Sequence, residues 1–561
     1  MKKALYIIPA VLCLLALSGC MELPAADPTI PTEQTQPTTA ETTEPAPVIE
    51  RGFVAALTPE VEYYDEAGTL LGTLTRGDEL EYVETSAGEK ELLVKEQTVY
   101  LQEGAAVVAD EADVIPEHTL YVRTAVNLRD AEGKLMEQFM EKGAAVSVTG
   151  YDYLENGVPH MYYVEDTGYI MPWYLAHTEQ EARAHFDDGH YETHASRNNR
   201  FGGGGAENLD YYPREKGPIE GNEMPAECRT LYIATWRVAE IDRYIEIADA
   251  CGINAFVVDI ADGATIGYAY DVINKYCPSV AASAQNSVED YKAAIQKLQD
   301  KGYYVIGRII AFNDDILIAD HPEYAITDTA GAPLKLIGCY WPTPYSRDVW
   351  QYKVDLAVEA VELMGFNEIQ FDYVRFPELT QSYEKAGTID FHDTYGETKA
   401  QAVQRFLMYA ADMLHEHGAY ISADVFGESA YNYVTAYGQY WPAISNVVDV
   451  ISGMPYPDHF SANGDYRPWE HPYDTLYNWG SCVMYRQEET ATPAAVRTWI
   501  QAYNAIREPY NSYGPTEVFA QIRALRDSGC TGGYMTWNAS ASIDKYRYLM
   551  PAFTPPEEET K

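Results

Sequence analysis

Residues Glu368-Ile369-Gln370-Phe371-Asp372-Tyr373-Val374-Arg375-Phe376-Pro377 decide how this chain folds. Side chains of an extended segment alternate between two faces, so Ile369, Phe371 and Tyr373 share one side and Gln370 and Asp372 the other. An apolar side backed by helices and a polar side turned inward fit a strand of a closed parallel barrel. There an inward carboxylate is expensive unless it faces a polar cleft. The same alternation recurs in Tyr420–Gly427, where Ile421, Ala423 and Val425 oppose Ser422 and Asp424, and in Ala255–Ile260, which turns Val257 and Asp259 inward.

Working outward, strands are expected at Leu231–Trp236, Ala255–Ile260, Tyr304–Ile310, Glu368–Phe376, Tyr420–Gly427, Val447–Tyr456, Val496–Tyr503 and Gly532–Asn538. Amphipathic helices are expected between them, as at Val238–Ala250, Val288–Lys301, Trp350–Met364, Thr398–His417 and Thr516–Ser528, most ending near a glycine. Eight strand–helix repeats predict an α/β (β/α)8 TIM barrel over residues 228–553, with chemistry where strands end.

Asp372 and Asp424 then converge on the mouth from neighbouring strands. Glycosidic cleavage needs one protonated carboxyl for the leaving oxygen and one ionised carboxylate to attack the sugar or activate water. Crowding drives two like charges to different pKa values, and Arg308 or Arg375 would keep one ionised. The expected catalytic residues are Asp372 as nucleophile or base and Asp424 as acid, with Glu428 competing for the acid role. A barrel-mouth carboxylate can instead simply pair with an arginine. Asp259, Arg308, Tyr373, Arg375 and Gln501 are expected to bind substrate, and Trp341, Tyr456, Trp469 and Trp537 are either stacking platforms for sugar rings or rim packing.

These residues carry a resemblance. The FDYVRFP string, with Ser422-Ala423-Asp424-Val425-Phe426-Gly427, Met454-Pro455-Tyr456-Pro457 and Thr536-Trp537-Asn538, resembles the bacterial putative glycosyl hydrolase domain family over nearly all of Cys228 to Phe553. The resemblance implies a TIM-barrel hydrolase related to glycosidases, with Asp372 a leading catalytic candidate. It identifies no substrate. Asp259-Ile260-Ala261-Asp262 stands where relatives usually carry a lysine, and Gly453-Met454-Pro455 replaces the more usual Pro-Met.

Composition bounds the rest. The 561 residues hold 85 Asp plus Glu against 39 Lys plus Arg, a formal charge of −46, too acidic for a general nucleic-acid or anionic-membrane binder. Apolar residues make up 47% of the chain, which excludes a disordered polyanion. The mean hydropathy of −0.31 excludes a multi-span membrane protein. Tyrosine outnumbers phenylalanine 47 to 15, supplying rings that tolerate a wet surface. No P-loop, Rossmann, HExxH or GxSxG pattern occurs, so no cofactor is expected. Asp314-Asp315 and Asp259 with Asp262 could hold Ca²⁺, but acidic surface residues are abundant and no metal site is expected.

At the N-terminus, Lys2-Lys3, an apolar run from Ala4 to Leu17 and Leu17-Ser18-Gly19-Cys20 resemble a bacterial lipoprotein signal (1–19), which implies lipidation at Cys20 and an extracellular protein held on the membrane. A Pro/Thr/Glu-rich linker (20–51) follows. Residues 52–116 and 117–177 read as two small all-β barrels. Val61, Asp65 and Gly68 recur as Val126, Asp130 and Gly133 at a constant offset of 65. Val126-Asn127-Leu128-Arg129 and Thr167-Gly168-Tyr169-Ile170 resemble the bacterial SH3-like domain. That implies peptidoglycan or another wall polymer as partner, a spacer or a packing partner for the barrel being the other readings. A connector (178–227) with Gly202–Gly205 is expected to be flexible; of its His185, His190 and His194 the last two have metal-ligand spacing, but the five-residue step takes His185 off their face and Gly189 weakens a helix joining all three, so a solvated linker is favoured over a metal site. An acidic tail (554–561) ends the chain. Cys228 and Cys530 precede the first and last strands, where a disulfide is conceivable and buried thiols are favoured.

Two functions follow: a surface-anchored glycoside hydrolase acting on a polysaccharide, or a non-catalytic wall- or glycan-binding lipoprotein with a degenerate barrel.

Overall fold

The computed structural model describes residues 48–554 except 57, 86–89, 96, 116–117, 156, 165–166, 187–205, 207–208 and 210–213. The signal, Cys20, most of the linker, Gly202–Gly205, His190, His194 and the tail beyond Thr554 lie outside the described residues.

The barrel strands are β1 (Cys228–Ile233), β2 (Ala255–Ala261), β3 (Tyr304–Ile310), β4 (Glu368–Asp372), β5 (Tyr420–Phe426), β6 (Val450–Met454), β7 (Ala495–Val496), β8 (Thr498–Gln501) and β9 (Gly533–Trp537). All pair in parallel, in the order β7-β6-β5-β4-β3-β2-β1-β9-β8. The expected seventh strand is two pieces, β7 on β6 and β8 on β9, meeting at Arg497. There the chain itself bridges the ring, with the Arg497 amide donating to the Ile451 carbonyl at 3.2 Å. Inside, Arg497 gives both Glu368 oxygens a hydrogen bond at 2.7 and 2.9 Å, so a buried charge pair fills the barrel below the mouth.

Helices α1 (Ile241–Cys251), α2 (Val288–Asp300), α3 (Arg347–Met364), α4 (Lys399–Glu416), α5 (Pro472–Glu488), α6 (Pro515–Ser528) and α7 (Ile543–Phe553) surround the ring. Local sequence fixes their ends. Ser287, Ser346 and Thr398 cap α2, α3 and α4 by accepting backbone N–H bonds, Thr398 within a full capping box. Helix α5 was not foreseen. Its Trp479 donates to the Gly427 carbonyl at 2.9 Å and lies where a Cβ at Gly453 would meet its ring at 2.3 Å, which accounts for glycine at that position of β6.

The two N-terminal units are antiparallel seven-stranded sheets over Ile49–Val108 and His118–Ala176. Leaving aside the small hairpin at Leu154–Pro159, the spatial order in both is third, second, sixth, fifth, fourth, first, seventh. The repeated residues explain themselves. Asp65 Oδ1 accepts the amides of Ala67 and Thr69 at 2.9 and 2.8 Å, and Asp130 Oδ1 those of Glu132 and Lys134 at 3.0 and 2.8 Å. Gly68 and Gly133 close these turns at φ 77° and 80°, where a side chain would be strained.

The second unit is docked on α4. Buried Asp412 accepts from Arg129, from Arg214 and from the Tyr174 hydroxyl at 2.7 Å. Further along, Arg347 joins Glu397 at 2.9 and 2.8 Å and Asn127 at 3.0 Å. The connector differs from expectation at both ends. Glu179–Phe186 is helical, and Lys216 and Asn222 bond barrel carbonyls, Lys216 that of Ser445 at 2.6 Å and Asn222 that of Asn367 at 2.8 Å. Cys228 and Cys530 are free thiols, buried as the sequence favoured.

Taking Asp412 away leaves buried Arg129 only the longer 3.7 Å pairing with Glu416, so Asp412→Ala should cost about 3–5 kcal/mol in urea unfolding followed by tryptophan fluorescence. A loss below about 1 kcal/mol would show that the dock is held by other contacts.

Candidate functional site

Strand β4 stops at Asp372 because Tyr373 takes a left-handed backbone, φ 51°, uncommon for a bulky residue and found where a chain must re-aim a side chain. Its amide turns back to donate to Asp372 Oδ1 at 2.6 Å. The expected alternation holds. Phe371 packs outward on Phe406 of α4 with ring centroids 5.2 Å apart, while Gln370 reaches across the interior to Ser452 and Met535.

One guanidinium organises the mouth. Arg308 on β3 donates Nη1 to Asp259 Oδ1 at 2.7 Å and Nη2 to Asp372 Oδ2, while its Nε lies 3.9 Å from Asp424 Oδ2. Asp259 also accepts from the Tyr232 hydroxyl, and Asp424 Oδ1 from the Trp499 indole at 2.8 Å. Asp424 Oδ2 is buried with no hydrogen-bond partner among the described residues. Burial, then the charge of Asp372, holds the Asp424 carboxyl well above the ordinary carboxylate range, against the pull of Arg308 and Trp499. Burial likewise raises Asp259 to about 6, opposed by Arg308 and Tyr232.

Above this cluster opens a cavity of about 330 Å³, at the carboxyl ends of the strands. Tyr232, Trp236, Tyr373, Phe426, Tyr456, Trp499 and Trp537 give it aromatic walls, and Asp372, Asp262, Arg308, Arg375 and His459 add its charged and titratable groups. Of the expected residues, Asp372, Arg308, Tyr373, Arg375, Tyr456 and Trp537 therefore meet in one space. Asp424 and Asp259 lie just beneath it, fully buried, so of the two expected carboxyls only Asp372 lines the cavity.

Four expected residues sit elsewhere. Glu428 is turned into its own loop, accepting the Tyr433 and Tyr437 hydroxyls at 2.8 Å each. Trp341 is 1% exposed, its indole donating to the Leu336 carbonyl at 3.0 Å, and it lies behind Arg375 rather than in the cleft. Trp469 is buried with Ala505 and Tyr513. Gln501 is buried too, exchanging 3.3 Å hydrogen bonds with the Asp458 amide and carboxylate, so it shapes the loop after β6. Arg375 pairs with Glu378 and lies over the Phe426 ring at 4.3 Å, so of the two arginines it is Arg308 that bonds Asp372.

Tyr232 and Trp499 were missed. Inward alternation along β1 and β8 would have found both, but each sits in an apolar run that reads as core. Asp314 is buried against Lys353 and caps a helix rather than facing a cation site. Among the described residues no group of three or more His, Cys, Asp or Glu side chains could hold a metal ion.

A carboxyl whose folded pKa is raised favours its neutral form. Its contribution to stability is full below the unfolded value of about 3.9 and is lost as pH rises through the folded value. Asp424→Asn, neutral at every pH, should therefore unfold at a urea midpoint no lower than the parent near about pH 8, with a shallower decline between about pH 5 and about pH 8. A variant that is less stable at the upper end would mean that Asp424 is ionised in the folded protein.

Several solved structures are similar to this chain. A hypothetical protein from Ruminiclostridium thermocellum is 32% identical over 35% of this chain and 97% of its own, with a TM-score of 0.29. The PgaB (BpsB) glycoside hydrolase domain from Bordetella bronchiseptica is 11% identical over 59% of this chain and 100% of its own, with a TM-score of 0.42. A class V chitinase from Pseudomonas fluorescens is 13% identical over 58% and 99%, with a TM-score of 0.36. No curated protein matches. The family described as "Putative glycosyl hydrolase domain" matches residues 230–543, more than half of the chain, and this protein belongs to it.

Proposed function

We propose that the chain is a surface-anchored glycoside hydrolase that cleaves a polysaccharide with two carboxyl groups at the carboxyl-terminal mouth of its barrel. The observation that carries this reading is the split between Asp372 and Asp424. Asp372 faces the cavity and is bonded to Arg308; Asp424 sits beneath it, where burial favours its proton. A carboxyl held protonated beside a second one that reaches the cavity is the pairing that acid–base cleavage of a glycosidic bond uses.

Asp372 is the group placed to attack the anomeric carbon or to take a proton from water. The proton for the leaving oxygen has two sources. Asp424 holds one, with Arg308 3.9 Å from it and the Trp499 indole bonded to it, and catalytic contacts often tighten only with substrate in place. Asp262, on the loop after β2, lines the cavity itself, its Oδ1 accepting the Ala264 and Thr265 amides at 3.0 and 2.6 Å. The aromatic walls suit the apolar faces of sugar rings.

The alternative, a barrel that holds glycan without cutting it, is favoured by one observation: Asp372 is already engaged by a buried guanidinium. Anchoring rests on the lipobox-like Leu17-Ser18-Gly19-Cys20, and the wall polymer as partner of the N-terminal sheets on their SH3-like sequence. The face of the second sheet that meets α4 is occupied by the barrel, which leaves any wall contact to the other faces.

Asp372→Asn should lower reducing-end release from a polysaccharide panel by about 10³-fold or more while glycan binding stays within about tenfold. Wild-type protein that binds but releases no ends would overturn catalysis and leave the binding reading. In the active enzyme, the source of the proton is the residue whose Asn variant removes the alkaline limb of the pH–rate profile, Asp424 or Asp262.

A further inference from the structure

We propose a second glycan-binding site, a groove between the second N-terminal sheet and the barrel, which holds a distal stretch of the same polysaccharide; this rests on the hydrolase reading. The groove encloses about 560 Å³. One wall is Leu135, Met136 and Glu137 of the sheet. The other is made by the loop after β3 with the first turn of α3, and by the loop after β4.

Its walls are rigid, which a binding site needs. Arg347, on the groove, is clamped by Glu397 and lies between the Trp350 and Tyr395 rings at 3.9 and 4.1 Å. Asn127 donates to the Tyr395 hydroxyl at 3.2 Å, Phe139 packs on the Tyr395 ring at 4.8 Å, and the Leu135 amide donates to Gln351 at 3.1 Å.

What the groove leaves open points to a ligand. Tyr345 is only 6% exposed and lines the groove, yet its hydroxyl has no hydrogen-bond partner among the described residues. The half-buried Tyr324 on the same groove, its ring stacked on His321, also has no hydrogen-bond partner for its hydroxyl among the described residues. Tyrosine hydroxyls left open on a groove suit the polar edge of a sugar.

Charge narrows the class. Glu137, Glu323 and Asp348 are the acidic groups of the groove, against one arginine, Arg347, which shares Glu397 with Arg405. Three carboxylates against that one guanidinium disfavour a polyanionic glycan, so the ligand is an uncharged polysaccharide. The groove also borders the catalytic cleft. Tyr345 packs on Phe376 at 4.8 Å, the residue after Arg375, and Thr343 of the groove follows two residues after Trp341, which lies against Arg375 and Tyr373. The two spaces are neighbours across Phe376 and Arg375, so a long chain that passes over the loops between them occupies both and a short one only the cleft.

The test is calorimetric binding of cellulose-, mannan-, xylan- and chitin-derived oligosaccharides, from disaccharide to octasaccharide, to full-length Asp372→Asn protein, where cleavage does not interfere. For the series that binds, affinity should rise with length beyond what fills the cleft. Tyr345→Phe, which removes only the hydroxyl, and Tyr324→Ala should each weaken the octasaccharide by about three- to tenfold without weakening the disaccharide. Equal weakening of both lengths, or of neither, overturns the groove, as does tighter binding of oligogalacturonides than of the uncharged series. If the length dependence and its loss are seen while the wild-type protein cleaves nothing, the groove stands and the hydrolase reading falls.

Discussion

A guanidinium sealed inside a barrel has to be answered by negative charge. Arg308 is 2% exposed, and everything in the mouth is arranged around that fact. Asp259 and Asp372 accept its two terminal nitrogens, and together they outnumber its single charge. Asp424, buried beneath them with the charge of Asp372 beside it, is held well above the ordinary carboxylate range against the pull of Arg308.

The same logic holds a layer lower, where Arg497 and Glu368 neutralise each other and Tyr304 donates to Glu368 at 3.0 Å. A barrel interior normally fills with branched aliphatic side chains. Here polar pairs cross it, satisfied in part: Gln370 Oε1, Ser422 Oγ and Arg497 Nε are buried without hydrogen-bond partners among the described residues. Partly satisfied buried polar groups are costly, and a fold carries such a cost most readily next to a working site.

The barrel was legible because β2 to β6 alternate or run apolar in the way a closed parallel sheet demands, and the predicted span of β3 matches residue for residue. Asp372, Asp424, Asp259 and Arg308 were legible for the same reason, since inward alternation near a strand's end says where a side chain points. The limit was depth. Alternation places Asp424 and Asp372 on the same interior surface, but it does not say which of them the cleft reaches. Loop residues were less legible still. Trp341, Trp469 and Glu428 lie outside regular strands, where no periodicity assigns a direction, and each turned into packing or hydrogen bonds of its own. The break at Arg497 was hidden because Val496 to Tyr503 reads as one run.

The dock at Asp412 has a consequence for the cleft. Helix α4 is the link that carries the chain from β4 to β5, the strands bearing Asp372 and Asp424, and the second sheet rests on that link. The N-terminal half of the molecule thus buttresses the outer side of the two strands whose inner side carries both carboxyls.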